Sequence, residues 1–133
     1  MIYQNKVLMH KRTKPPYQGM LNLVGGKVEP NETSLYGAYR ELREETGICN
    51  AVLVPIMTFQ YPFSKVELHI FGTCVVSDEI VHEPGIEPEW IHLTENFFDF
   101  HRFAGEGNIG HVLAQPAMNV IINASLQDFC SKV

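Results

Sequence analysis

The sequence has 133 residues, a length that fits one ordinary domain. Hydrophobic residues make up 45% of it and charged residues 19%, so it carries enough apolar side chains to build a core. The formal net charge of -5 lacks the basic excess of general nucleic-acid or acidic-membrane binders, and no apolar run approaches the ~18 residues that cross a bilayer, so neither is an expected partner.

Two strands are predicted before the first helix. Residues Lys6–Arg12, KVLMHKR, alternate apolar and polar side chains as a half-buried strand does. The segment before this run, MIYQ, is short for a further strand. The Pro- and Gly-containing loop TKPPYQG leads to a second short strand at Met20–Val24, which enters the pair Gly25-Gly26.

A helix is predicted from Ser34 to Thr46, capped by Thr33 or Ser34 and followed by Gly47 in a left-handed conformation. Gly37, in its interior, costs about 1 kcal/mol relative to Ala, so we expect a compensating role for this glycine. Five residues form the stripe expected to pack on the sheet: Leu35, Ala38, Tyr39, Leu42 and Thr46.

The second half of the chain is predicted to hold three strands and a helix. Two β-rich runs span Ala51–Tyr61 and Lys65–Ser77, and Pro55 makes the first an edge or bulged strand. A short strand follows at Trp90–Leu93, and an amphipathic helix covers Pro116–Phe129. The pattern indicates one mixed α/β domain.

Three glutamates crowd the C-terminal half of the first helix. Glu41 lies three residues before Glu44 and four before Glu45, spacings at which like charges destabilise a helix by a few tenths of a kcal/mol. The helix dipole adds roughly 0.3–1 kcal/mol for each acid, and Arg40, four residues before Glu44, gives partial relief. A solvated charged face is one interpretation. A bound hard cation is the other, because Mg²⁺ or Mn²⁺ prefers carboxylate oxygens.

The segment from Gly26 to Ile48 resembles the Nudix box. That pattern is Gly, five residues, Glu, seven residues, Arg-Glu-aliphatic, any residue, Glu-Glu, any residue, Gly-aliphatic. Its fixed positions are filled here by Gly26, Glu32, Arg40, Glu41, Leu42, Glu44, Glu45, Gly47 and Ile48. The resemblance implies a single-domain Nudix α/β/α sandwich with a mixed sheet, spanning residues 1–133.

The resemblance also implies hydrolysis of a nucleoside diphosphate linked to another group, with Mg²⁺ or Mn²⁺ as cofactor. The implied metal ligands are the carbonyl of Gly25 and the carboxylates of Glu41, Glu44, Glu45 and, outside the box, Glu67. A solvent-facing strand position is the alternative for Glu67. Without metal, Glu41, Glu44 and Glu45 are expected to lack a sufficient counter-charge.

The catalytic roles that the resemblance implies fall on the same helix. Glu41 is the candidate base that helps to deprotonate the attacking water. Arg40 would orient that carboxylate, and Glu44 would contribute to catalysis beside it. Glu32 would support these side chains from outside the set of metal ligands.

The segments that flank the box bear on the substrate. YQGMLNLVGGK is similar to the segment before the box in members that hydrolyse 8-oxo-dGTP, where an asparagine matching Asn22 reads the purine edge. Leu21 departs from that pattern, which has an aromatic residue there. RFAGEGN is similar to the segment that closes the base pocket in the same members. The implied substrate contacts are Asn22, Arg12, Lys27, Phe103 and Glu106.

Other substrates and functions stay open. Gln60-Tyr61-Pro62-Phe63 partly resembles a segment of NADH diphosphatases, and a proline near this point occurs in ADP-ribose hydrolases. The alternatives to a triphosphate hydrolase are therefore an ADP-ribose or NADH pyrophosphatase and a non-catalytic ligand sensor. The acidic balance disfavours an RNA cap hydrolase, and the chain is compatible with a monomer or a homodimer.

The cysteines bear on the cellular compartment. Cys49, Cys74 and Cys130 are scattered, odd in number and without CxxC spacing. This pattern disfavours a disulfide framework or a zinc site and favours a reducing cytosol, so we predict a cytoplasmic location.

Overall fold

The computed structural model describes residues 1–82, 84, 85 and 87–127. In chain order these residues form β1 (Ile2–Tyr3), β2 (Lys6–Lys11), β3 (Leu21–Leu23), α1 (Ser34–Thr46), β4 (Val54–Tyr61), β5 (Val66–Gly72), β6 (Pro88–His92), α2 (Asn108–Leu113) and α3 (Pro116–Leu126).

Strand β2 is the centre of the larger sheet. It pairs antiparallel with β6 from Lys6 to His10, and with β1 and β3 over its first and last residues. Single parallel bridges join Ile2 to Cys74 and Leu21 to Phe103. All the strand pairs described in this sheet are antiparallel, and its parallel contacts are these two isolated bridges, so the predicted mixed sheet is not seen among the described strands.

Strands β4 and β5 form a separate antiparallel hairpin. Its register shifts between Pro55 and Met57, which confirms the predicted edge or bulged character of β4. Tyr61 pairs with Val66 at the closed end, so the hairpin tip projects residues 62–65 beyond the last pair. Helix α1 contacts β5, and this places the helix and the hairpin side by side.

The core lies between the larger sheet and the C-terminal helices. Its buried residues are Ile2, Val7, Met9, Leu21, Ile91, Phe97, Phe103, Ile109, Met118 and Ile121. Helix α3 packs on β1, and the Ser125 hydroxyl donates to the carbonyl of Gln4 at 3.1 Å. A Cβ at Gly72 would lie 2.8 Å from Ile121 Cδ1 and 2.9 Å from Met118 Sδ, so the end of β5 approaches the side chains of α3 closely.

The predicted elements before residue 62 correspond closely to the observed ones. Helix α1 has the predicted bounds, the Thr33 side chain accepts from the Tyr36 N–H, and Gly47 has φ 76°. The buried face of α1 includes Leu42 and Thr46 of the predicted stripe, but it extends toward the loop between β3 and α1, which packs on the helix. Leu35 is 40% exposed, whereas Gly37 and Glu45 are buried.

Other elements differ from the predictions. Strand β1 and helix α2 were not predicted, β5 ends at Gly72 instead of Ser77, and α3 ends at Leu126. Phe129, the predicted end of that helix, lies outside the described residues. Cys49 is free and exposed, whereas Cys74 is disulfide-bonded. The scattered cysteine spacing did not predict this bond, because spacing does not report which side chains meet in the fold. None of the described helices has the length and apolarity to cross a membrane.

Candidate active site

The loop after β3 folds back onto α1 and brings the glycine pair against the acidic face of the helix. The N–H of Gly25 donates to the Glu45 carboxylate at 3.1 Å, across 20 residues of sequence. A Cβ at Gly26 would collide with the carboxylate of Glu41. Glycine is therefore required at position 26 for the backbone to lie this close to the acid.

Arg40 is the hub of the charged network. Its guanidinium binds Glu32 through a two-bond fork, with Nη2–Oε1 at 2.8 Å and Nε–Oε2 at 3.0 Å. The third nitrogen, Nη1, donates to Glu41 at 3.0 Å and to Glu44 at 3.2 Å. Nη2 also donates to the carbonyl of Lys27 at 3.0 Å, which fixes the loop between β3 and α1 to the helix.

Glu32 is held as a carboxylate by these bonds. The hydrogen bonds from Arg40, and then the bond from the Glu29 N–H, lower the pKa of Glu32 to about 2. The bond to Glu32 likewise raises the pKa of Arg40. A Cβ at Gly37 would lie 2.8 Å from Glu32 Oε1, so the glycine inside α1 provides the space in which this carboxylate reaches Arg40. This contact is the compensating role expected for Gly37.

Glu45 has a different environment from the other two acids of the helix. Its side chain is only 8% exposed, and burial, followed by the charge of Glu41, raises its pKa to about 7, although the Gly25 N–H opposes the shift. Among the described residues, the ion pairs of Arg40 are with Glu29, Glu32, Glu41 and Glu44. Glu41 and Glu44 therefore share one guanidinium with Glu29 and Glu32, which is the partial relief expected of Arg40, whereas Glu45 has no ion pair among the described residues.

Glu67, the predicted ligand outside the box, lies on β5 opposite Gln60. Its carboxylate is exposed and lies 3.3 Å from Nε2 of His69 on the same strand. The structure therefore gives Glu67 the features of the solvent-facing alternative.

Three of the five predicted substrate residues, Phe103, Lys27 and Asn22, have different environments. Phe103 is 1% exposed and packs on Phe97 with ring centroids 4.9 Å apart, so the structure places it in the core and not in a pocket wall. Lys27 is exposed and contacts Arg40 through its backbone. Asn22 lies on β3 with its Oδ1 bonded to the Leu23 N–H, which leaves its Nδ2 as a donor.

The remaining two predicted substrate residues lie on two different loops, Arg12 on the loop between β2 and β3 and Glu106 on the loop before α2. Both act electrostatically on the phenol of Tyr17, as does Tyr61. Arg12 also donates to the Pro16 carbonyl at 2.7 Å and so closes the loop that carries Tyr17. Sequence reasoning missed Tyr17, although it stands in the quoted segment YQGMLNLVGGK.

Comparison with known sequences identifies the family. The NUDIX domain family matches residues 1–113. This chain belongs to the Nudix family. It is 30% identical over 101 residues to an 8-oxo-dGTP diphosphatase of Buchnera aphidicola subsp. Schizaphis graminum, over 74% of this chain and 78% of that relative. An ADP-ribose pyrophosphatase of Methanocaldococcus jannaschii is 33% identical over 76 residues, which are 57% of this chain and 45% of the relative, so the match spans under half of that protein.

Solved Nudix structures share the fold. A MutT Nudix hydrolase from Burkholderia pseudomallei superposes with a TM-score of 0.64 at 20% identity, over 87% of this chain and 92% of that one. The Nudix domain of Shewanella oneidensis NrtR, crystallised with ADP ribose, gives a TM-score of 0.55 at 16% identity, over 93% and 73%. The predicted Nudix fold is confirmed, and the sequence relatives described above are named as a diphosphatase and a pyrophosphatase.

Nudix hydrolases generally use divalent cations, and the donor set of this Nudix chain fits one in chemistry. Three carboxylates and the loop at Gly25 and Gly26 lie together, and Glu45 is buried beside like charges. Within the described part of the chain, however, no three acidic, His or Cys side chains are already arranged around one point. Nη1 of Arg40 binds one oxygen of Glu41 and one oxygen of Glu44, which leaves the other oxygen of each carboxylate for a cation.

Proposed function

We propose that this protein hydrolyses nucleoside triphosphates, with ordinary or oxidised purine bases, to the monophosphate and pyrophosphate, using Mg²⁺ or Mn²⁺. The observation that carries the proposal is the acidic face of α1, where the glycine loop lies against Glu41 and Glu45. The buried Glu45 carboxylate, whose pKa is raised to about 7 beside like charges, supports placing the cation there.

Gly25, Glu41, Glu44 and Glu45 would hold the cation. Bound there, it would supply positive charge to the phosphate oxygens and acidify a water molecule. Glu41 accepts the proton of the attacking water, and its Oε1 is oriented by Nη1 of Arg40. Arg40 is in turn held by its two hydrogen bonds to Glu32, which fix the guanidinium that orients Glu41.

A triphosphate substrate is supported by the relative that the chain covers best among those described above, the 8-oxo-dGTP diphosphatase of Buchnera aphidicola. We place Asn22, Arg12 and Glu106 around the base and phosphates, and Lys27 at the exposed rim. Asn22 precedes Gly25 on the same stretch of chain by three residues, about 10 Å when extended, so one nucleotide can reach both positions.

ADP-ribose or NADH is the second candidate substrate. The Methanocaldococcus jannaschii relative is an ADP-ribose pyrophosphatase. Tyr61, which belongs to the segment that resembles NADH diphosphatases, accepts a hydrogen bond from Asn108, two residues after Glu106. The two sequence signals that seemed to favour different substrates thus fall on one part of the surface.

The test is a Mg²⁺-dependent hydrolysis panel containing 8-oxo-dGTP, the ordinary dNTPs, ADP-ribose and NADH, with Glu44→Gln as the matched blank. Formation of monophosphate plus pyrophosphate from a triphosphate is the expected result. Preferential cleavage of ADP-ribose or NADH would replace the first candidate with the second. Ligand binding without turnover of any compound would favour a non-catalytic sensor. A domain extending over residues 1–133, a cytoplasmic location and a homodimer stay predictions.

A further inference from the structure

The connection between β5 and β6 contains a short surface segment, residues 77–81, which we call the strap. The chain before the strap is fixed on β1, where the Val75 N–H donates to the carbonyl of Ile2 at 2.8 Å. The strap begins in a turn, in which the Ser77 hydroxyl oxygen accepts from the Glu79 N–H at 3.2 Å. Four of its five residues are exposed, so the strap lies on the outside of the domain.

The strap contacts α1 at the residue where the helix ends. The N–H of Val81 donates to the carbonyl of Thr46 at 3.1 Å. A Cβ at Gly47 would lie 3.2 Å from Cβ of Val81, so the strap also packs closely on the glycine that follows the helix. The last four carbonyls of a helix have no partner within it. The strap therefore supplies a hydrogen bond that α1 cannot make for itself.

The turn that the strap binds carries one of the proposed cation ligands. Glu45 immediately precedes Thr46, and its carboxylate accepts from the Gly25 N–H at 3.1 Å. Helix ends fray when little holds their terminal residues. Fraying of this turn would move Glu45 away from Gly25 and separate the two ligands. The bond from Val81 to Thr46 opposes that separation.

Trp90 holds the strap from the side of the sheet. Its indole N–H donates to the carbonyl of Asp78 at 3.0 Å. Trp90 pairs with Leu8, a fully buried residue of the central strand, and its ring centroid lies 5.7 Å from that of Tyr3. The strap is thus fixed to the centre of the sheet at Asp78 and to the end of α1 three residues later.

We propose that the strap holds the last turn of α1 where Glu45 binds the glycine loop, and that Trp90 is the positioning residue that holds the strap. The proposal rests on the proposed function in taking Glu45 and Gly25 as cation ligands. Trp90 acts on this site through Asp78 and Val81 and has no catalytic role in the proposed reaction. Loosening the strap should therefore release Glu45 from Gly25 without removing a ligand.

The first test measures solvent exchange of the Gly25 amide proton by NMR in chelator. Trp90→Phe keeps an aromatic ring and removes the indole N–H, and Val81→Pro removes the N–H that binds Thr46. Each should speed exchange at Gly25 about 2- to 10-fold, the range that one hydrogen bond provides. The double variant should exchange no faster than Val81→Pro alone, because Trp90 acts through Val81. Gly19 is the reference amide, since its N–H is bonded to the Arg12 carbonyl in another loop.

The second test measures binding of Mn²⁺ to the same proteins by calorimetry. Trp90→Phe and Val81→Pro should each weaken the affinity for Mn²⁺ about 2- to 10-fold, because the bound state requires the same arrangement of Glu45 and Gly25. Val81→Ala is the matched control. It keeps the backbone donor and shortens a side chain that is 76% exposed, so it should change neither exchange at Gly25 nor the Kd of Mn²⁺.

Unaltered exchange at Gly25 in both Trp90→Phe and Val81→Pro would overturn the proposal. Faster exchange at Gly25 and Gly19 alike, with a lowered Tm, would show a general loss of stability and overturn it too. If Val81→Pro does not fold, Trp90→Phe decides, since it leaves the backbone unchanged. Faster exchange at Gly25 alone, in variants of a wild type that binds no Mn²⁺, would support the strap and refute the cation site of the proposed function.

Discussion

Arg40 divides the acids around it into two groups. Glu32, Glu41 and Glu44 share its donors, whereas Glu45 is buried against the glycine loop with a raised pKa. Spacing on a helical wheel could predict the pair of Arg40 with Glu44, four residues apart. It could not predict the fork to Glu32, because that bond depends on how the preceding loop returns to the helix.

The proposed base is tested by Glu41→Gln. The substitution keeps the shape of the side chain but removes the proton acceptor, so we expect turnover to fall at least ~100-fold with the fold retained. The measurement is kcat on the substrate found in the panel, with circular dichroism of the same samples. Glu29→Gln is the control, since Glu29 is exposed and lies 3.7 Å from the same guanidinium nitrogen. Near-normal turnover by Glu41→Gln would remove this residue from the mechanism.

The raised pKa of Glu45 predicts a pH dependence of stability in metal-free protein. The folded state holds the Glu45 proton to about pH 7 and the unfolded state to about 4.5, so the free energy of unfolding falls as pH rises through this window. At 1.36 kcal/mol per pKa unit, the loss is at most about 3 kcal/mol. Urea denaturation at pH 5 and pH 8 in chelator measures it. In Glu45→Gln the free energy of unfolding should vary less with pH, and this variant should be more stable than the wild type at pH 8. If the wild type and the variant lose the same stability between pH 5 and pH 8, Glu45 is not the source of the pH dependence.

Helix α1 and its preceding loop act as one element through the contact between Gly37 and Glu32. In an ordinary helix Gly→Ala stabilises by about 1 kcal/mol. Here the added Cβ would lie 2.8 Å from Glu32 Oε1 and displace the partner of Arg40, so we expect Gly37→Ala to destabilise. In a Glu32→Ala background the same substitution should become stabilising. Thermal denaturation of the wild type, the two single variants and the double variant measures both effects of Gly37→Ala. If Gly37→Ala stabilises the protein in both backgrounds, the contact with Glu32 is not the reason for the glycine.

At this scale the sequence predicted those elements whose signals are local. Strand β2 follows from its alternation, and α1 from its cap, its length and Gly47. Strand β1 has two residues and α2 six, too short for a periodic signal. Helix α2 also follows a run of left-handed residues that a propensity argument would assign to a turn.

The arrangement of the whole molecule depends on contacts between distant residues, and here the sequence was least informative. Motif similarity assigned Phe103 to the substrate, but Phe103 bridges to Leu21 and is enclosed by the core. Burial of an aromatic side chain results from tertiary packing, which a short motif does not contain. The bond between Tyr61 and Asn108 spans 47 residues for the same reason and could not be predicted.

Cation binding should stabilise the whole domain, because the ligands are assembled only when the loop at Gly25 lies on α1. At a hundred times the Kd, Mg²⁺ or Mn²⁺ would add about 2.7 kcal/mol to the free energy of unfolding. The Tm shift between metal and chelator should also grow from pH 6 to pH 8, since binding requires deprotonated Glu45, whose pKa is about 7. Scanning calorimetry of wild type and a Glu44→Gln/Glu45→Gln variant, at matched ionic strength, measures both effects. An equal Tm shift in that variant would place the cation elsewhere on the protein.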